Sequence, residues 1–168
     1  MQTIIEGKVF VFGANIDTDQ IYPGRFLDIT DPVEVGKYAM HGADPGFVKN
    51  FQKGDIIVAS TNFGCGSSRE HAVITLKSAG VGAIVADSYG RIFYRNAINL
   101  GIPVIVCKDI YKHVKLGDTL VVNIVDGTVI NKTTGEQIKT EPFSEYTMSI
   151  LSNGGIKSLV KKQMENKI

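Results

Sequence analysis

The side chains best suited to chemistry concentrate in STNFGCGSSREHAVITLKSAG, residues 60–80. Gly64 and Gly66 let the backbone approach a ligand closely or take a positive φ, and Ser67, Ser68 and Arg69 follow at once. Helix N-termini carry unpaired N–H groups and partial positive charge, and arginine grips carboxylates through paired hydrogen bonds. Two hydroxyls and a guanidinium at the start of a helix therefore point to a carboxylate or phosphate site. Two other readings compete with it. Ser67 with Glu70 three residues on spells a capping box, which accounts for both residues without chemistry. His71, four residues after Ser67, would share a helical face with it as base to a nucleophile, although the sequence offers no assignable acid partner. GCGSS lacks the Walker lysine and fits neither GxGxxG nor GxSxG, so the common nucleotide and hydrolase fingerprints are excluded.

The flanking sequence says what holds this loop. DIIVAS (55–60) reads as a strand leading into it, and SREHAVITLKSAG reads as a helix with Ala72, Leu76 and Ala79 on one face. VGAIVAD is a second buried strand, SYGRIFYRNAINLG a second helix with Ile92 and Ile98 spaced along it, and IPVIVC a third apolar run. Strands alternating with helices over short links predict a largely parallel sheet, with the site at the carboxyl ends of its strands. Upstream, TIIEGKVFVF (3–12) is a strand with Gly7 as a bulge position. NIDTDQIYPGRFLDITDP is then a long loop whose apolar residues argue for order and whose length argues for a ligand. Arg25 is its only cation, among Asp17, Asp19, Asp28 and Asp31, and a surface ion pair competes with any binding role for it. Asp31 followed by Pro32 starts a short helix running toward Gly42. From Leu116 onward, alternating apolar residues with DG and TG turns predict antiparallel hairpins, followed by a helix from Ser144 and a basic amphipathic tail helix.

Composition bounds the rest. At 168 residues with 43% hydrophobic and 21% charged side chains, the chain suits one globular domain with a core of its own. A net charge of +1 gives no electrostatic case for nucleic acid or an anionic membrane. No apolar run approaches about 18 residues and the N-terminus lacks a cleavage site, so the expected location is cytoplasmic. Two cysteines, Cys65 and Cys107, in neither CxxC nor CxxxC spacing, cannot supply the ligands of a zinc site or an iron–sulfur cluster.

GCGSSREHA (64–72), NIDTDQI (15–21), PGRFL (23–27), HGADPGF (41–47), RIFYRNAINLG (91–101) and the TTGE turn (133–136) together resemble the small subunit of 3-isopropylmalate dehydratase, the separately encoded form of the aconitase swivelling domain. The resemblance covers nearly the whole chain. It implies an α/β fold, a single swivelling β/β/α domain over residues 1–168 with a partly parallel sheet flanked by helices and C-terminal β-hairpins. It implies half of a hydro-lyase that isomerises 2-isopropylmalate and 3-isopropylmalate by dehydration and rehydration in leucine biosynthesis. In such enzymes a large subunit holds a 4Fe–4S cluster with one iron open as a Lewis acid, and the pair assembles as a heterodimer or heterotetramer. This chain would bind no metal or cofactor itself. By position, Ser67 is similar to the family's catalytic serine, which as an alkoxide takes the proton from the carbon next to a carboxylate. Ser68, Arg69 and Arg25 resemble its substrate-carboxylate contacts.

Phe26, Leu27, Asp28 and Ile29 occupy the stretch that, in this family, sets substrate choice. Asp28 would repel a third carboxylate, and Leu27 or Ile29 could meet an alkyl group. A branched dicarboxylate is therefore favoured over the tricarboxylate homoaconitate, with 2-isopropylmalate first and citramalate or 2,3-dimethylmalate as close alternatives. Two other classes of function compete: a non-catalytic carboxylate-binding module, and a stand-alone serine enzyme that the missing triad acid disfavours.

Overall fold

A computed structural model describes residues 2–167. In chain order it contains β1 (Ile4–Val11), α1 (Thr18–Ile21), α2 (Pro32–Gly36), α3 (Phe47–Asn50), β2 (Ile56–Ala59), α4 (His71–Ala79), β3 (Ala83–Ala86), α5 (Arg91–Asn99), β4 (Val104–Val106), β5 (Thr119–Asn123), β6 (Thr128–Asn131), β7 (Gln137–Lys139), α6 (Glu145–Ser152) and α7 (Ile156–Glu165). One seven-stranded sheet runs in the order β4-β3-β2-β1-β5-β6-β7. The predicted parallel pairing holds: DIIVAS, GAIVA and PVIVC lie side by side, and β1 joins them on the other flank of β2. Beyond β1 the sheet turns antiparallel through β5, β6 and β7, as the turn signals after Leu116 predict.

Two-residue alternation splits the sheet's apolar side chains between two cores. Ile57, Ala59, Ile84 and Ala86 pack with Leu76, Val73, Phe93, Ala97 and Leu151 from the helices, whereas Ile56, Val58, Val85 and Ile105 pack with Val9, Leu120, Val122 and Val129. β2 and β3 are buried on both faces, which explains their uninterrupted apolar sequence. α5 buries Phe93, Ala97 and Ile98. Ile92, predicted beside Ile98, instead faces solvent, because the aromatic at 93 takes the inward position.

Three other local expectations are corrected. Gly7 is not a bulge: Glu6, Gly7 and Lys8 pair in unbroken register with Val121, Leu120 and Thr119. The glycine is there because a Cβ would stand 2.5 Å from the Gly54 carbonyl oxygen. The long segment after β1 is ordered, as expected, but it is not loop throughout. Asp17 and Gln20 form a capping box over α1, and a 3₁₀ turn follows at Gly24–Phe26. Third, α4 begins at His71 with Glu70 as an N-cap lacking any side-chain bond, so Ser67 caps no helix.

The hairpin end carries a buried polar knot. Asn131 Nδ2 donates to Asp118 Oδ2 (2.9 Å) and to the His113 carbonyl (3.0 Å), while the Lys115 N–H also donates to Asp118 (2.9 Å). Asn131 and then the Lys115 amide hold the Asp118 carboxyl below the usual aspartate range. Since the folded value is depressed, its contribution to stability is full above the unfolded value of about 3.9 and is lost as pH falls through the folded one. Thermal melts from pH 7 downward should therefore show Asp118→Asn less stable than wild type at neutral pH but with a flatter acid limb. Parallel acid limbs would contradict this.

Candidate active site

The site is an outgrowth of the parallel ladder. Past the ends of β1 and β2 the two chains keep bonding: Phe12 N–H to the Val58 carbonyl (2.8 Å), Asn15 N–H to Thr61 (2.9 Å), Gly64 N–H to Ile16 (2.7 Å) and Thr18 N–H to Cys65 (2.8 Å). On the other side Phe63 donates to the Ser88 carbonyl (3.1 Å) and accepts from Gly90 N–H (2.8 Å). Three segments leaving three adjacent parallel strands are thus laced into one ledge at the sheet's carboxyl edge. Backbone bonds of this kind position a loop without requiring a helix cap.

Gly64 is the tightest point of the ledge. Its φ is +81°, and a Cβ would fall 2.2 Å from Phe93 Cγ on α5. Phe93 is itself packed edge-on against buried Phe63, with ring centroids 5.4 Å apart. Gly64→Ala combines overpacking with a left-handed backbone and should cost about 2–4 kcal/mol, read as a lower denaturant midpoint at unchanged slope. A midpoint equal to wild type would mean that the loop relaxes freely.

At the ledge's tip, Ser67 Oγ accepts two hydrogen bonds from one residue: Arg69 Nε–H at 2.9 Å and Arg69 N–H at 3.2 Å. Ser67 is half-buried, whereas Ser68, Arg69 and Glu70 are exposed. With Nε committed to Ser67, the terminal nitrogens of the Arg69 guanidinium are the ones free to meet a carboxylate. Nη1 lies beside the Gly24 turn, 3.9 Å from where a Cβ on Gly24 would stand, and so the residue preceding Arg25 is brought against Arg69. Asp19 Oδ1 secures that turn by accepting from Gly24 N–H (2.9 Å).

Arg25 is exposed with its guanidinium over the Phe26 ring, 4.6 Å from the centroid, and among the described residues it forms no ion pair with the surrounding aspartates. Phe26 stacks on Tyr38 at 4.1 Å and meets His41 edge-on at 5.3 Å, and its carbonyl accepts from the Tyr22 hydroxyl (2.7 Å). The Phe26 ring is therefore already engaged on both faces. Leu27 and Ile29 are half-buried and Asp28 is exposed.

His71 forms no dyad with Ser67. Its Nδ1 is buried without a hydrogen-bond partner and its ring lies parallel to Tyr22, while Ser67 Oγ is taken by Arg69. Cys65 lies in the ledge and Cys107 is buried beyond β4. Burial, with Asp87 adding to it, pushes the Cys107 thiol up to about 11. Among the described residues no three His, Cys, Asp or Glu side chains converge as a metal-holding group.

Two residues that sequence reasoning passed over touch the serines. Thr18, buried, accepts the Ser67 N–H on Oγ1 (3.1 Å), and Asn96 Nδ2 on α5 reaches the Ser68 carbonyl (3.4 Å). Thr18 sits inside the DTD motif, where the flanking aspartates drew attention as charges. Asn96 lies on α5 within RIFYRNAINLG, a stretch that carries the resemblance but no site assignment.

Residues 6–109, more than half of the chain, match the family model described as the aconitase C-terminal domain. Over 164 residues the chain is 51% identical to the isopropylmalate/citramalate isomerase small subunit of Methanocaldococcus jannaschii, covering 98% of each protein. It is 49% identical over 163 residues to 3-isopropylmalate dehydratase small subunit 1 of Methanopyrus kandleri, covering 97% of this chain and 96% of that one. The crystal structure of a 3-isopropylmalate dehydratase from M. jannaschii shares the fold with a TM-score of 0.93 at 40% identity, over 98% of this chain and 97% of the other. The family match, the identity over nearly the full length and the shared fold agree, and the chain belongs to the aconitase C-terminal domain family, in its group of 3-isopropylmalate dehydratase small subunits.

Proposed function

We propose that this chain is the small subunit of a two-subunit hydro-lyase that isomerises 2-isopropylmalate and 3-isopropylmalate in the cytoplasm, as a step of leucine biosynthesis. In this reading all 168 residues act as one swivelling domain. The observation that carries it is the pair of Arg69 N–H donors converging on Ser67 Oγ at an exposed ledge. A serine hydroxyl is a very poor base unless its alkoxide is stabilised, and a cationic N–H together with a backbone N–H aimed at Oγ does that. The ledge is open, with Ser68, Arg69, Arg25 and Asp28 all exposed, as expected for half a site that a partner completes.

Within the complex Ser67 takes the proton from the carbon beside a substrate carboxylate. The free end of Arg69 and the Ser68 hydroxyl hold that carboxylate, and Arg25 meets the substrate from the opposing turn. When bound on the large subunit, a 4Fe–4S cluster would supply Lewis-acid activation of the departing hydroxyl. Rehydration then returns the proton from Ser67 to the neighbouring carbon. The names of the relatives, isopropylmalate/citramalate isomerase and 3-isopropylmalate dehydratase, support a branched malate as substrate. Mixing this chain anaerobically with a cluster-bearing large subunit should give turnover of 2-isopropylmalate; no turnover with any branched malate would defeat the reading.

Selectivity is proposed to rest on Asp28, which is exposed next to half-buried Leu27 and Ile29. Asp28→Arg replaces a repelling charge by an attracting one, so the kcat/KM ratio of homoaconitate to 2-isopropylmalate should rise by about tenfold or more. An unchanged ratio would remove residue 28 from the pocket.

A further inference from the structure

We infer that Thr18 is a positioning residue for Ser67, acting through a single hydrogen bond from the loop after β1 to the backbone of the loop after β2. The inference rests on the proposed role of Ser67 and deepens it. Ser67 precedes the first turn of α4, so no helical bond fixes its peptide. It follows Gly66, at φ +105°, which leaves the chain free to swing. Its own side chain is bonded forward to Arg69, which holds the hydroxyl relative to Arg69 but not the pair relative to the sheet. The link to the sheet is the Ser67 N–H bond to Thr18 Oγ1, at 3.1 Å.

Thr18 is suited to this because it is itself fixed. Its N–H donates to the Cys65 carbonyl (2.8 Å), Asp17 bridges Cys65 in parallel register, and the Asp17–Gln20 capping box locks the turn that follows. The residue is buried, so its hydroxyl has little water to exchange partners with. It also sits close under Gly66: a Cβ there would come 3.3 Å from Thr18 Oγ1, a spacing that favours glycine at 66. Asn96 Nδ2 holds the following peptide from the α5 side through the Ser68 carbonyl (3.4 Å). The two serines are therefore tethered from opposite flanks, with the shorter bond on the Thr18 side.

The test compares Thr18→Val, which keeps the branched shape and loses the acceptor, with Thr18→Ser, which keeps the acceptor. In complexes with the large subunit, Thr18→Val should lower kcat by about 10–100-fold, because a displacement on the order of 1 Å at a reacting group carries that cost. KM should change by less than kcat, since the Ser68 peptide keeps its Asn96 tether. Thr18→Ser should recover most of kcat. The second readout needs no turnover: in the isolated wild-type chain the Ser67 amide should be protected from hydrogen exchange, and Thr18→Val should remove that protection while core amides of β2 and β3 stay slow. A Ser67 amide exchanging at the unprotected rate in wild type overturns the inference even if the variant folds poorly. Wild-type kcat for Thr18→Val, or an effect confined to KM, also overturns it. If Ser67→Ala kills turnover while Thr18→Val does not, the role of Ser67 stands and only this inference fails. If Ser67→Ala is fully active, the role of Ser67 fails, and with it the inference.

Discussion

Ser67→Ala should reduce kcat of the reconstituted complex by about 10²–10⁴-fold, the range expected when a positioned proton-transfer group is removed. The loss should sit in kcat. Ser67 Oγ accepts both of its hydrogen bonds from Arg69, so the alanine variant frees Nε rather than stripping a carboxylate contact, and substrate affinity should change by less than about threefold. Folding should be almost untouched, because Ser67 caps no helix and its backbone bond to Thr18 survives the substitution. Stability within about 0.5 kcal/mol of wild type is the expected outcome. Chemical denaturation run beside steady-state kinetics separates the two. A variant with normal turnover would show that Ser67 is not the base, and one that unfolds would show that the ledge depends on its hydroxyl.

Arg69→Lys carries the second largest effect, and the structure makes it larger than loss of a fork alone. The arginine has two jobs: Nε points at Ser67 Oγ, and the terminal nitrogens, with Nη1 beside the Gly24 turn, remain for the substrate. Lysine keeps the charge but is a single point donor and cannot serve both. Losing one charge-assisted bond to Oγ and the paired geometry toward a carboxylate should cost about 3 kcal/mol in kcat/KM, or about 10²-fold. Both kcat and KM should move, unlike in Ser67→Ala. A change confined to KM would mean that the Arg69–Ser67 bond plays no part in the proton step.

The parts of this molecule that reveal themselves in sequence are those where a local rule and the tertiary fold agree. DIIVAS and VGAIVAD are continuous apolar runs because β2 and β3 are buried on both faces, and the DG and TG turns announce the hairpins that end the sheet. Asp31 and Pro32 start α2, and Ser144 caps α6, as their residue types predict. The errors fall where a distant partner overrides the local rule. Ser67-x-x-Glu70 has the letters of a capping box, yet Gly64 and Gly66 take positive φ, the Ser67 N–H is bonded to Thr18, the helix starts only at His71, and the hydroxyl turns to Arg69. Gly7 has the look of a bulge but answers to the Gly54 carbonyl 47 residues away. The short α1 and α3, four residues each, lie below the length at which periodicity can speak.

The site was legible as residue types and not as geometry. GSSRE named Ser67, Ser68 and Arg69, and the structure keeps them in one ledge. It could not show that Arg69 would serve the serine as well as a ligand, since that depends on the side chain folding back two residues. Arg25 read as a cation among aspartates, whereas it lies over Phe26. That ring is held by Tyr38, a residue with no motif of its own. Thr18 and Asn96 were invisible for the same reason: their partners are Ser67 N–H and the Ser68 carbonyl, backbone groups that every residue carries.

The central claim, that this chain supplies the base, is tested most directly by following the proton rather than the product. The wild-type complex, equilibrated with substrate in deuterated water, should wash deuterium into the carbon next to the carboxylate. The Ser67→Ala complex, at substrate concentrations where binding is shown independently, should exchange at least about 10²-fold more slowly. Exchange at the wild-type rate in the alanine variant would contradict the account and place the base elsewhere in the complex.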